Sequence, residues 1–387
     1  ATTNISTNGN VTGSTASLVF ANGSSYNVSG ATTLAPWIPL ATWGASSNLT
    51  ISGLTSSSTA PTNNAQSFGN FTYNCPAASA TMSFFTSNTV TIQGNLSIQA
   101  TNTGKFRCVT SGTLNVLGNM TVSGSSICDI SSSGGTVSVS GTFTHSSSGT
   151  TNVGIGAVGT LTAGGFAVSA GTVELATGTT SQNGTIKVSG TFNQTGGTIT
   201  ETGTSTASTI EFNGSSAQSV TLGTLSNTIN YRINNNAGIN LTGIMAITTG
   251  ASLRISSTAA APIAGGTLTY TGTTTLVYDA VGNQTVTANE WPAASGPTNI
   301  TINNTGTAGT ANRVNFHAAR TISGTLTMTS GVFQLGNNDL TMTGTVSGTA
   351  SNTNFIATNG TGQFIQTFTT TGPKTFPLGD VTGTDEA

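Results

Sequence analysis

Val90-Thr-Ile-Gln-Gly94-Asn-Leu96, Leu114-Asn-Val-Leu-Gly118-Asn-Met120 and Val137-Ser-Val-Ser-Gly141-Thr-Phe143 are three versions of one phrase. Ile186-Lys-Val-Ser-Gly190-Thr-Phe192 repeats it, and Leu161-Thr-Ala-Gly164 and Ile210-Glu-Phe-Asn-Gly214 are shortened copies. Gly94, Gly118 and Gly141 recur at a spacing of about 24 residues, as do Gly190 and Gly214. Gly164 falls midway between Gly141 and Gly190. A fixed period of this length is the mark of a repeat architecture.

Within each copy, apolar and polar residues alternate, which reads as a short strand with one buried face. The glycine after it is expected to supply the backbone angles of a tight corner. A turn of about 24 residues is too short to fold alone, but stacked turns pair each strand with its copy one turn on and bury a continuous core. The predicted fold is all-β: a single-stranded parallel β-helix, or β-solenoid, of about 23–25 residues per turn and right-handed, with about 16 layers at ~4.8 Å each.

A longer repeat overlies the second half. Thr209-Ile-Glu-Phe-Asn-Gly-Ser-Ser-Ala-Gln-Ser-Val220 matches Thr275-Leu-Val-Tyr-Asp-Ala-Val-Gly-Asn-Gln-Thr-Val286, a displacement close to three turns. A second motif, Asn–apolar–x–apolar–Asn, occurs at Asn70–Asn74, Asn230–Asn234 and Asn299–Asn303. Asparagine suits corners, where it tolerates left-handed angles and stacks in hydrogen-bonded ladders.

Composition agrees. The 387 residues include 80 Thr and 50 Gly but only 18 charged residues, with a net charge of −2. Eight scattered Lys and Arg are too few for a nucleic-acid partner. No apolar run approaches the ~18 residues of a membrane-inserting helix. Thr, Ser, Asn, Gly and Val favour strands and turns over helices. Residues 1–45 are less regular and read as a cap or first layers, with Trp37 and Trp43 flanking a Pro-containing segment. An aromatic sugar platform is the alternative reading of those tryptophans. Residues 46–370 read as the β-helix proper. Residues 371–387, with Phe376-Pro-Leu-Gly379, read as the start of a further domain or linker. The chain is therefore expected to be a piece of a longer protein whose signal peptide has been removed.

Candidate chemistry is sparse. Cys75, Cys108 and Cys128 are an odd number, and Cys108 and Cys128, a little less than one repeat apart, are the candidate disulfide. There is no Cys-x-x-Cys, and His145 and His317 lie far from all three in the chain, so no metal site is predicted. Glu174, Lys187, Glu211, Arg107, Arg232 and Arg254 each sit between two apolar neighbours. Alternation turns such side chains outward, onto a solvated face. The best catalytic set is an outer-face cluster of Glu174, Glu201 and Glu211, the kind of acid grouping that glycan cleavage uses. It is not preferred, and no catalytic residue or cofactor is assigned. Trp291, in the loop Glu290-Trp-Pro292, is the candidate glycan contact, whereas Tyr231 and Tyr278 fall in the inward register. A flat threonine array can bind ice. The Thr-x-Thr runs starting at Thr267, Thr325 and Thr341 are separated by steps that are not multiples of the turn, so they miss the period.

The order of motifs resembles a known group. Gln218-Ser-Val, Asn230-Tyr-Arg-Ile-Asn-Asn, Ile322-Ser-Gly-Thr-Leu-Thr-Met-Thr-Ser-Gly331, Leu335-Gly-Asn-Asn-Asp-Leu-Thr-Met-Thr-Gly344, Phe355-Ile-Ala-Thr-Asn-Gly-Thr-Gly362 and Thr375-Phe-Pro-Leu-Gly379 occur in that sequence. This resembles the secreted β-strand-repeat surface proteins of Bacteroidota, many of them type IX secretion cargo. The resemblance runs from about residue 45 to the end. It implies an extracellular or cell-surface adhesin or filament of a Gram-negative bacterium, exported by a secretion machinery. The resemblance also implies fibres or gliding-type filaments; low charge and exposed ladder ends point to self-association on physical grounds, and surface glycans or other cell-surface components are the expected partners. It supplies no catalytic residues. The expected function is a structural or adhesive stalk. A polysaccharide-binding or -cleaving β-helix is the alternative, and ice binding a lesser one.

Overall fold

A computed structural model describes residues 2–5 (backbone only), 11, 13–29, 38–178, 182–204, 208–368 and 376–379. The described residues form short strands and turns with no helix, and hence no helix long and apolar enough to cross a membrane. All named strand pairings are parallel, as a β-solenoid requires. The chain divides into two units. The N-terminal unit comprises 1–209 with 223–227, and the C-terminal unit 210–222 with 228–387.

In the N-terminal unit each regular turn contributes three strands, and each strand stacks on its copy. The first face stacks Val90, Leu114, Val137, Leu161 and Ile186 as successive partners. The second stacks Tyr26, Leu49, Phe71, Leu96, Met120, Phe143, Phe166 and Phe192. The third stacks Met82, Phe106, Cys128, Thr151, Val173, Ile199 and Leu225. The first two columns are buried along their whole length, so like sits on like: Phe143, Phe166 and Phe192 stack with centroids 5.3 and 5.0 Å apart. Burying each such ring contributes roughly 2–3 kcal/mol. The layers reach back to Thr2–Ile5, which pairs with Ser25–Val28, so residues 1–45 contain solenoid strands. Trp43 is buried against Phe20, with centroids 4.2 Å apart, rather than displayed; Trp37 lies outside the described residues. Of residues 371–387, Leu378–Gly379 are seen to pair in parallel with Ile356–Ala357.

The periodic glycines mark corners for a reason other than the expected one. Gly94, Gly118 and Gly141 do not have positive φ. Each lies beside the asparagine of the preceding turn. Asn70 Oδ1 accepts from Asn95 N, Asn95 Oδ1 from Asn119 N, and Asn119 Oδ1 from Thr142 N, all at 2.8 Å. A Cβ on Gly118 would fall 2.5 Å from Asn95 Oδ1 and 2.6 Å from Gly94 O. The glycine leaves room for the ladder that satisfies the corner's backbone.

The C-terminal unit stacks Tyr231, Leu253, Leu276, Ile300 and Leu326 in register, three steps separating Tyr231 from Ile300. The long repeat therefore spans three turns, and its chemistry is visible. Gln218 Oε1 accepts from Gly214 N (2.8 Å) and Asn235 Nδ2 (2.9 Å). Gln284 Oε1 accepts from Ala280 N (3.2 Å) and Asn304 Nδ2 (3.1 Å). All four side chains are buried. The leading Asn of the second motif keeps its ladder role, since Asn230 Oδ1 accepts from Ser252 N and Asn299 Oδ1 from Thr325 N, both at 2.8 Å. The motif asparagines do not have left-handed angles.

Candidate functional site

Polar chemistry concentrates on the third face of the N-terminal unit. Ser83, Arg107, Asp129, Asn152, Glu174, Thr200 and Ser226 are successive partners there, one per turn. Alternation does turn these side chains away from the inward column. The expected solvation fails for Glu174 and Glu211, which are buried, as are Glu201 and the neighbouring Asp129. Arg107 lies 3.2 Å from Asp129 Oδ2, and Asn152 Nδ2 donates to Asp129 Oδ1 at 2.9 Å. Burial costs the carboxylate its hydration, and this cation and amide replace it.

Glu174 and Glu201 serve a loop. Glu174 Oε1 accepts from Thr202 N at 2.7 Å, and Glu201 Oε1 accepts from Gly203 N at 3.1 Å. Burial raises both carboxyls above their usual range, and the charge of Glu174 raises Glu201 further. The Ser208 side chain, near Glu201, offsets part of that rise. The acid pair is thus committed to backbone N–H groups of the segment that follows Glu201. Glu211, the third member of the catalytic set, belongs to the C-terminal unit, where Asn234 Nδ2 donates to it at 2.9 Å. In that unit Arg254 pairs with Asp279 at 2.5 Å, and Ser256 bridges Asp279 to Arg232 Nε.

The histidines sit apart from these acids. His145 is buried, with Nδ1 3.0 Å from Thr151 Oγ1, and burial lowers its pKa to about 4. His317 Nε2 lies 2.9 Å from an Arg320 nitrogen, and burial, aided by that cation, lowers it to about 4. Among the described residues no group of three or more His, Cys, Asp or Glu is arranged to hold a metal ion.

Cys108 and Cys128 are free thiols with sulfurs 3.8 Å apart. The register explains the gap. Cys128 lies opposite Phe106, and Arg107 opposite Asp129, so the two cysteines are diagonal rather than facing. A disulfide needs sulfurs about 2.05 Å apart and Cβ atoms about 3.8 Å apart. Continuing the register from Asp129, the position facing Cys108 is Ile130, and Cys128 falls short of it along the strand.

Trp291 is 1% exposed, its ring 5.3 Å from that of Phe316, and Arg320 donates to its carbonyl. Its indole therefore presents no face to a sugar. Beside it, residues 287–291 close a hydrogen-bonded turn around Glu290 that the sequence reading missed. Thr287 N donates to Glu290 Oε1 at 2.5 Å, Thr287 Oγ1 bonds Glu290 Oε2, and Trp291 N donates to Thr287 O. The signal was Thr287-Ala-Asn-Glu290. Glu290 is itself buried, with Tyr270 donating to its carbonyl and Tyr278 to its carboxyl, and burial raises its pKa to about 7.

No protein-family model, curated protein or solved structure matches the chain. The geometry defines its class, a parallel β-solenoid repeat protein.

Proposed function

We propose that the chain is a structural and adhesive segment, a β-solenoid stalk of a surface protein. The observation that carries this reading is the register of the N-terminal unit. Eight buried residues from Tyr26 to Phe192 lie on one another turn after turn, each layer hydrogen-bonded to the next. Such a ladder resists local opening, because freeing one turn breaks pairings on several strands and exposes two layers of core. The outer surface suits many weak contacts, being rich in hydroxyl and amide groups and poor in charge.

An extracellular or cell-surface place on a Gram-negative bacterium, and export as type IX cargo, rest on the motif resemblance. Fibre formation is part of the same reading, since a weakly charged ladder whose end is left uncapped recruits further strands. Negative-stain electron microscopy of the native surface or secreted fraction tests the reading. Thin rods or continuous filaments are the expected result. Compact particles that never assemble would overturn it.

A further inference from the structure

The first face of the N-terminal unit carries hydroxyls that the stalk reading leaves unused. The threonine runs at 267, 325 and 341 miss the period, but the register aligns a different set. Thr89, Thr113, Thr136, Thr160 and Thr185 are successive partners across four parallel pairings. Two positions along each strand, Thr91, Asn115, Ser138, Thr162 and Lys187 form a second column. Between the columns Val90, Leu114, Val137, Leu161 and Ile186 point inward and are buried. Both columns therefore face outward, and every residue in them is exposed or half-buried. No register shift interrupts them.

The contrast with the neighbouring faces is chemical. On the second face the column of Asn70, Asn95 and Asn119 is spent on backbone N–H groups. On the third face the polar column is mostly buried and internally bonded. On the first face no hydrogen bond to another described residue engages the five threonine hydroxyls. Threonine is stiff at χ1, so each offers a methyl and a hydroxyl in a fixed direction. The sheet sets their spacing at about 4.8 Å between turns and about 6.7 Å between columns.

The occupant follows from what the face offers. A polyanion needs cations, and Lys187, at one end, is the only charge in the two columns. A glycan platform needs aromatic rings, and the columns hold none. The single threonine column repeats a hydroxyl and a methyl at fixed spacing over five turns, with Thr91, Ser138 and Thr162 adding hydroxyls beside it, and such a row suits ordered water, which bonds the hydroxyls and cages the methyls. We infer that this threonine face adsorbs to ice. The activity is separate from the stalk role and does not depend on it.

The test uses the purified full chain in a nanolitre osmometer, with an ice-recrystallisation assay alongside. A gap between melting and growth temperatures, and suppressed recrystallisation, are the expected results. Thr136→Tyr, at the centre of the column, is expected to raise the effective concentration about tenfold or more, because one bulky side chain lifts its neighbours off a multivalent contact. Thr121→Tyr, outward on the second face, is expected to leave it unchanged. Matched circular dichroism and melting curves show that both variants fold. No activity in the unmodified chain would overturn the inference. So would equal loss in the two folded variants, or adsorption to insoluble polysaccharide without adsorption to ice.

Discussion

The two units close their corners with different chemistry. The N-terminal unit uses the same device in successive turns, an Asn carbonyl reaching the next turn's backbone beside a glycine. In the C-terminal unit the same device appears at Asn299 beside Gly324 and at Asn337 beside Gly360, Asn230 and Asn236 reach the next turn's backbone without a glycine, and buried side chains such as Gln218, Gln284 and Glu290 hold other corners. A one-turn sequence repeat therefore marks a corner that each turn makes alike. A three-turn repeat marks a clamp that needs partners from separate turns. Like corners thus repeat in sequence every turn, whereas a buried clamp such as Gln284, which reaches Ile255 and Asn304, shows only in the longer repeat.

The comparison breaks most sharply at Gly118. A side chain there meets Asn95 Oδ1 and Gly94 O, the second of which is backbone and cannot rotate away. Gly118→Val is expected to cost about 3 kcal/mol or more, read as a lower urea midpoint. Valine is the informative choice, because Ala251 stands immediately before Ser252, the donor to Asn230, so a methyl is tolerated at the corresponding place in the other unit.

Glu290 gives an effect of similar size through pH. Its folded pKa of about 7 lies above the ordinary carboxyl value of 4.5. Below pH 4.5 the carboxyl is protonated in both states and folding pays nothing for it. As pH rises from 4.5 through 7, the unfolded chain ionises first and stability falls, by on the order of 3 kcal/mol in total. Glu290→Gln is expected to remove that slope, so its advantage over the unmodified chain grows between pH 4.5 and 8. Urea titrations of both chains at the two pH values measure it. Glu174 and Glu201 are raised in the same direction but are common to both chains, so the difference isolates Glu290. An equal slope in the variant would mean that the Glu290 carboxyl is ionised without penalty.

These residues also show what could be read in advance. The strand alternation of Val90, Leu114 and Val137, the parallel stacking and the three-turn length of the long repeat were all legible, because each is a property of neighbours along the chain or of a simple offset. The place of Gly118 was legible, but its cause was not, since the atom it must avoid belongs to Asn95 of the previous turn. Alternation told which way Glu174 points and said nothing of the loop at Thr202 that covers it. Trp291 looked exposed beside Pro292; the Thr287–Glu290 turn that leads into it went unread, and the Phe316 ring against it is not a property of its neighbours in the chain. That Cys108 and Cys128 lie less than one repeat apart was visible, but its meaning needed the local step that sets Cys128 opposite Phe106.

Gln284 sharpens the clamp side of the comparison. Its Nε2 donates to Ile255 O and Ser257 O while its Oε1 accepts from Ala280 N and Asn304 Nδ2, so one buried amide serves four groups. Gln284→Leu keeps the volume and strands those groups, at an expected cost of about 2 kcal/mol in the urea midpoint. A cost near zero would mean that water replaces the amide and that the clamp is not what the three-turn repeat encodes.

Asn95 carries the smallest effect and the most specific one. Asn95→Ala frees Asn119 N, but at an exposed corner where water takes over, so about 1 kcal/mol is expected. The useful measurement is its coupling to Gly118. Removing the Asn95 side chain takes away one of the two obstacles to a Cβ at 118 and leaves the other, Gly94 O. A double-mutant cycle of Asn95→Ala with Gly118→Val should therefore show the pair less destabilised than the sum of the two, by roughly 1 kcal/mol. Simple additivity would mean that the glycine answers only to the backbone of the previous turn. The asparagine ladder and the glycine period would then be two independent features that share a corner.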